Sequence, residues 1–167
     1  MNLKGKNAIV TGGGRGLGKA VAIALAKEGV NIGLTGRNEE HLKNTAEELK
    51  TLGVMAAYYV FSIDNEKAVQ SGIAKLAEEL GGIDILINNA GIGDFGSIAE
   101  MPSETWEQVI KTNLFGVYYA AKAVHPFLKE RGMGDIVNVA STAGLKGGPN
   151  MSAYAASKAA VVSLSQS

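Results

Sequence analysis

The sequence predicts an α/β fold, a doubly wound parallel sheet, and three observations predict it. Short apolar, largely β-branched runs alternate with longer amphipathic stretches along all 167 residues. The short runs are apolar throughout rather than alternating, as expected of strands covered on both faces by helices. Right-handed crossovers between such strands then wind the sheet both ways from its first strand.

The elements follow in order. NAIVT (7–11) reads as a buried strand, and GKAVAIALAKEG (18–29) as a helix ending at Gly29. NIGLT (31–35) is a strand, and NEEHLKNTAEELKTLG (38–53) a helix capped by Asn38. MAAYYVF (55–61) is a strand, NEKAVQSGIAKLAEELG (65–81) a helix and DILIN (84–88) a strand. Residues 103–132 carry one long helical pattern, DIVNVA (135–140) is the fifth strand, and SAYAASKAAV (152–161) opens the last helix. No repeat, linker or low-complexity segment interrupts them, so residues 1–167 read as a single dinucleotide-binding domain.

Composition narrows the function classes. The chain is 46% hydrophobic and 19% charged, which suits a globular core rather than disorder. Sixteen basic and sixteen acidic residues balance, and no basic run forms a footprint for nucleic acid. Cysteine is absent, which removes disulfides and thiolate chemistry. MNLKGKNAIVTGG lacks the apolar core of a signal peptide, and no apolar run spans a membrane. A soluble cytoplasmic protein is expected.

TGGGRGLG joins the first strand to the first helix. Small residues there let the backbone approach a pyrophosphate seated on the helix N-terminus. Gly12 is expected to make the tight turn, Gly16 the close approach and Gly18 the contact between helix and strand. After the second strand, an NAD site places an acid against the ribose hydroxyls. Here Gly36 and Arg37 stand instead. A guanidinium suits a 2′-phosphate, and Arg15 offers a second, so NADP(H) is the expected cofactor.

NNAG (88–91) follows the fourth strand, beside the crevice where a cofactor crosses. The Asn89 amide is placed to hold neighbouring loops together. Asn113 and Gly116 are poor mid-helix residues, so a kink or two short helices are expected near them, with a backbone carbonyl open to water. Ser141 closes the fifth strand as a turn or capping residue, or as a donor to a carbonyl substrate. Tyr154 and Lys158 are i,i+4 neighbours, about 5–6 Å apart at Cβ. Bringing a tyrosine from its reference pKa of about 10 to about 7 takes roughly 4 kcal/mol of preference for phenolate. One cation about 4 Å away, at an effective dielectric near 20, supplies about that much.

Taken in order and spacing, TGGGRGLG, NNAG, Asn113, Ser141 and YAASK resemble the short-chain dehydrogenase/reductase family in its single-domain form. The Tyr-x-x-x-Lys spacing differs from the wider one of bacterial enoyl reductases. The overall look is closest to 3-oxoacyl-acyl-carrier-protein reductases and their paralogues. The resemblance implies a Rossmann-like fold and NADP(H)-dependent reduction of a ketone or acyl thioester. It implies Tyr154 as acid/base, Lys158 as holder of the nicotinamide ribose, Ser141 as substrate donor and Asn113 as anchor of a relay water. It assigns Gly14, Leu17, Ser62, Ile63, Ala90 and Gly91 to the cofactor site with the residues above, and it implies a homodimer or homotetramer.

Three departures stand out. Ser62 occupies the place where the family often has Asp or Asn to grip adenine. KERGMGD (129–135) mixes Lys129 and Arg131 with Glu130 and Asp135, where carrier-protein reductases cluster basic residues. The family pattern also continues past residue 167, so a sheet truncated after its fifth strand and following helix is expected. Two rival readings are a non-catalytic NADP(H)-binding regulator and an inactive fragment. His41 and His125 have no partner at triad spacing, and no metal-ligand cluster is present.

Overall fold

The computed structural model describes residues 3–167. Five parallel strands, β1 (Asn7–Thr11), β2 (Asn31–Gly36), β3 (Ala56–Val60), β4 (Ile85–Asn88) and β5 (Asp135–Asn138), form one sheet. Their spatial order is β3-β2-β1-β4-β5. The connecting helices are α1 (Gly16–Lys27), α2 (Glu39–Lys50), α3 (Glu66–Leu80), α4 (Ser103–Ile110), α5 (Gly116–Glu130) and α6 (Ser152–Ser165). This is the Rossmann-like, doubly wound arrangement that the apolar strands required.

Side-chain alternation along the strands divides the core into two layers. Ala8, Val10, Ile32, Leu34, Ile85 and Ile87 face α1 and α2, where Ala22, Ala26, Leu42, Ala46 and Leu49 meet them. Ile9 and Leu86, register partners across β1 and β4, face α3 and α5. There they pack with Val69, Ile73, Leu76, Ala120 and Val124. Most of these side chains are fully excluded from water, and each valine, leucine or isoleucine among them is worth about 1.5–3 kcal/mol of burial.

The helix ends follow their capping chemistry. Asn38 accepts from the His41 N–H at 2.8 Å, and Asn65 from the Ala68 N–H at 3.1 Å. Below the sheet, buried Asn7 donates to the carbonyls of Leu80 and Gly82 and accepts from Asn31 Nδ2. Several expected boundaries move by one to three residues: α1 spans Gly16–Lys27 rather than 18–29, α2 ends at Lys50 rather than 53, and β5 ends at Asn138 rather than 140. The pairing still reaches one residue further, because the Val139 N–H donates to the Asn88 carbonyl.

The long helical pattern of residues 103–132 is three pieces, α4, a π-helical turn (Lys111–Phe115) and α5. The expected break falls at Asn113, inside that turn. Among the described residues, no helix is long and apolar enough to cross a membrane. Nor does any group of three or more His, Cys, Asp or Glu side chains there gather for a metal.

Candidate active site

Strand order reverses between β1 and β4, and their carboxyl ends border a cleft of about 730 Å³. Such a crevice is where open α/β sheets bind ligands. Its walls bring together Gly12, Gly14, Arg15, Gly16, Leu17 and Gly18 from the first turn, and Arg37 from the end of β2. Ser62 and Ile63 follow β3, and Asn89, Ala90 and Gly91 follow β4. Tyr154, Lys158, Ser141 and Asn113 lie outside this wall, and Asn113 and Lys158 approach it at Gly91. A Cβ at Gly91 would stand 3.2 Å from Asn113 Oδ1 and 3.8 Å from Lys158 Nζ.

The first turn is fastened from β4. Asn89 Nδ2 donates to the Thr11 and Gly12 carbonyls, while Thr11 Oγ1 accepts from the backbone N–H of Asn89 and of Ala90. Gly12 sits at φ +67°, which favours glycine. At Gly18 a Cβ would collide with the Gly12 carbonyl oxygen and Asn89 Nδ2, so side-chain growth there would push the turn apart. The N-terminus of α1 has no side-chain cap, and Gly16 has open space where a Cβ would point. Uncapped N–H groups and an unfilled cradle fit a bound pyrophosphate. Thr11 was not singled out from the sequence. Its position at the end of a strand just before the glycines is the available signal.

At the end of the cleft formed by β2 and β3, Arg37 is exposed and Ser62 half-buried. Ser62 hydrogen-bonds Asp64, and with the 2.7 Å bond from Gln108 Nε2 it holds that carboxyl below the usual carboxylate range. Nearby Arg37 adds a weaker attraction. The acid missing from position 62 thus stands two residues later, and the serine hydroxyl is engaged with it.

At the other end, Asn113 is fully buried. Its Oδ1 accepts from the Ile92 N–H and its Nδ2 donates to the Ile92 carbonyl, both at 2.8 Å. The same Nδ2 donates to Ser157 Oγ at 3.0 Å, and that hydroxyl donates to the Tyr154 carbonyl at 2.7 Å. One amide therefore locks the loop after β4 to the helix that carries the tyrosine. Ser157 was missed in the sequence because it sits among alanines in a helix, where a serine is unremarkable.

Lys158 is 5% exposed, and burial pushes its ammonium below the usual lysine range. Its Nζ donates to the Val139 carbonyl at 2.7 Å and lies 5.9 Å from the centre of the Tyr154 ring. The ammonium therefore faces the tyrosine ring through space. Ser141 Oγ accepts from the Ala143 N–H, capping a 3-10 turn (Thr142–Gly144) and leaving its own O–H to donate. That turn rests on α6, since a Cβ at Gly144 would fall 2.8 Å from the Lys158 carbonyl oxygen.

The arrangement joins an anion cradle to a phenol, a buried amine and a hydroxyl. Proteins of similar sequence and structure match nearly the whole chain. It is 38% identical over 166 residues to the 3-oxoacyl-[acyl-carrier-protein] reductase FabG of Chlamydia muridarum, covering 98% of this chain and 66% of that protein. An NAD+-bound xylitol dehydrogenase structure superposes with a TM-score of 0.94 at 38% identity, covering 98% of this chain and 64% of the other. An actinorhodin polyketide ketoreductase with NADPH gives 0.91 at 38% identity, covering 95% and 62%. The chain thus spans about two thirds of the length of its relatives. The profile described as short chain dehydrogenase matches residues 6–167, and the protein belongs to that family of oxidoreductases.

Proposed function

We propose that the protein is an NADPH-preferring reductase that converts a ketone or 3-oxoacyl thioester to the alcohol. The observation that carries this reading is the pairing of Tyr154 with a buried Lys158, tied to the rim of the cleft through Asn113. Relatives with solved structures use either cofactor, NAD+ in the xylitol dehydrogenase and NADPH in the ketoreductase. Arg37 in place of an acid supports the phosphorylated one.

Gly12, Gly16, Gly18 and the α1 N-terminus would hold the pyrophosphate, Arg37 with Arg15 the 2′-phosphate, and Asn89 to Gly91 the nicotinamide half. When bound, the reduced nicotinamide supplies hydride. Tyr154 then gives its phenolic proton to the substrate oxygen. Ser141 donates to the same oxygen, where negative charge develops in the transition state. The Lys158 ammonium favours the phenolate left behind. Asn113 holds the loop after β4 in place, and a backbone carbonyl of its π-turn would anchor the relay water.

The reading includes one dinucleotide-binding domain and a homodimer or homotetramer. Trp106, Phe115 and Tyr118, each 37–46% exposed around α4 and α5, are apolar surface of the kind subunits cover. The test is NADPH oxidation across a ketone panel, with Tyr154→Phe alongside. General acid catalysis contributes about 10²–10⁴-fold, so the variant should lose at least about 100-fold in kcat and keep NADPH affinity. A Tyr154→Phe protein with near-normal kcat would overturn the mechanism.

A further inference from the structure

Beyond Ile92, which Asn113 clamps, the chain runs through Gly93, Asp94, Phe95 and Gly96 before α4. Phe95 folds back over Gly93, where a Cβ would stand 2.9 Å from its ring. The ring meets Tyr154 edge-on, with centroids 5.7 Å apart and planes inclined by 61°. This is a favoured aromatic geometry. The Gly96 N–H donates to the carbonyl of Asn150, the one described non-glycine residue at positive φ (60°). The segment is therefore pinned at Ile92 and again at Gly96. Phe95 is nevertheless 58% exposed. It is a large apolar ring held against the phenol, with a free face.

The same segment borders a second, smaller and open depression of about 220 Å³ with Phe95 in its wall. Met101 and Pro102 add apolar surface, while Asp94 and Glu100 line it without any lysine or arginine. An anionic group entering it would meet two carboxylates and no compensating cation. A neutral apolar group would gain contact with Phe95, Met101 and Pro102.

We propose that Phe95 is a specificity-determining residue. It selects neutral ketones whose carbonyl carries a flat or extended apolar substituent, and it disfavours carboxylated or polyhydroxylated ketones. The inference rests on Tyr154 being the proton donor of a ketone reductase. The substituent lies on the exposed face of Phe95 and extends toward the smaller depression, while its carbonyl oxygen points to Tyr154.

The experiment compares kcat/KM for three ketones: an aryl alkyl ketone, its para-carboxylate and a polyhydroxylated ketone. They are measured on the unmutated protein, Phe95→Ala and Phe95→Leu, with thermal melts to check folding. For the neutral aryl ketone, kcat/KM should fall about tenfold in Phe95→Ala, mainly through KM, and be partly restored in Phe95→Leu. The other two ketones should change by less than about twofold, which narrows the preference. An equal loss for all three, carried by kcat, would show that Phe95 only braces Tyr154 and would overturn the proposal. So would a preference of the unmutated protein for the carboxylate. If the unmutated protein reduced none of the three but oxidised NADPH with other ketones, the reductase reading would stand and this inference would fall. If it oxidised NADPH with no ketone at all, both would fall.

Discussion

At Arg37 a single side chain would carry the proposed preference for NADPH. The residue is exposed at the mouth of the cleft, and Asp64 attracts it weakly. A charge-assisted bond to phosphate contributes about 1.5–3 kcal/mol, or roughly ten- to a hundredfold in affinity. NADPH should therefore bind at least about tenfold more tightly than NADH, and Arg37→Asp should narrow or reverse the ratio. Titration of both cofactors into both proteins measures it, and equal affinities in the unmutated protein would show that Arg37 plays no part. Lys158 sets a pH dependence of the same sign as that of a paired carboxylate, although here burial rather than attraction lowers the pKa. Burial lowers its folded-state pKa below the ordinary lysine value of 10.5. Between the lowered value and 10.5 the unfolded chain binds the proton and the folded chain does not, so stability rises with pH across that window. Below the window both states are charged, and the full cost of burying the ammonium is present. The stability of the unmutated protein should gain on that of Lys158→Met as pH rises from 7 toward 10.5. Each pH unit inside the window adds about 1.4 kcal/mol. Denaturant unfolding at several pH values follows the difference, and a flat one would mean that the amine is well solvated.

Among the elements, the π-turn at Lys111–Phe115 shows where the sequence could be read and where it could not. Asparagine and glycine inside a helical pattern announce an interruption, because both weaken a helix. They do not announce its form. That depends on what the widened turn touches, namely the backbone of Ile92 and the hydroxyl of Ser157. Strands and helices were legible because burial on both faces, caps such as Asn38 and Asn65, and glycine stops act locally. The ends of the site residues were less so. Lys158 donates to Val139, nineteen positions away, and Thr11 receives the N–H groups of Asn89 and Ala90 across the strand-order reversal. No local pattern encodes such partners. The Asn113 clamp makes a prediction at this scale. Asn113→Ala strips partners from the Ile92 N–H and carbonyl and from Ser157 while changing little volume. A buried polar group left unpaired costs about 1–3 kcal/mol, so denaturant unfolding should show a loss of at least that order. Asn113→Asp should restore only the acceptor half of the clamp. A stability loss below about 0.5 kcal/mol in the alanine variant would mean that the loop re-pairs with water.

For the molecule as a whole, charge decides how it meets a large substrate. Sixteen acidic and sixteen basic residues leave no net field to draw in an acidic carrier protein. The local candidate for a landing patch is the segment after α5, and the fold weakens it. Arg131, although exposed, is already engaged: its Nη2 donates to the Gly81 carbonyl at the end of α3 and its Nε lies 3.8 Å from Asp84. That leaves Lys129 beside Glu130 and Asp135 on the exposed surface. Electrostatic complementarity mainly raises association rate, and a mixed patch forfeits that gain. Carrier-bound and simple 3-oxoacyl thioesters should therefore be reduced with kcat/KM values within about tenfold of each other. The ratio should depend little on salt between low and physiological ionic strength, because few charges are brought together. Steady-state kinetics with both thioesters across a salt series gives the comparison. A carrier preference of several orders of magnitude that collapses with salt would show that a basic surface elsewhere on the protein receives the carrier.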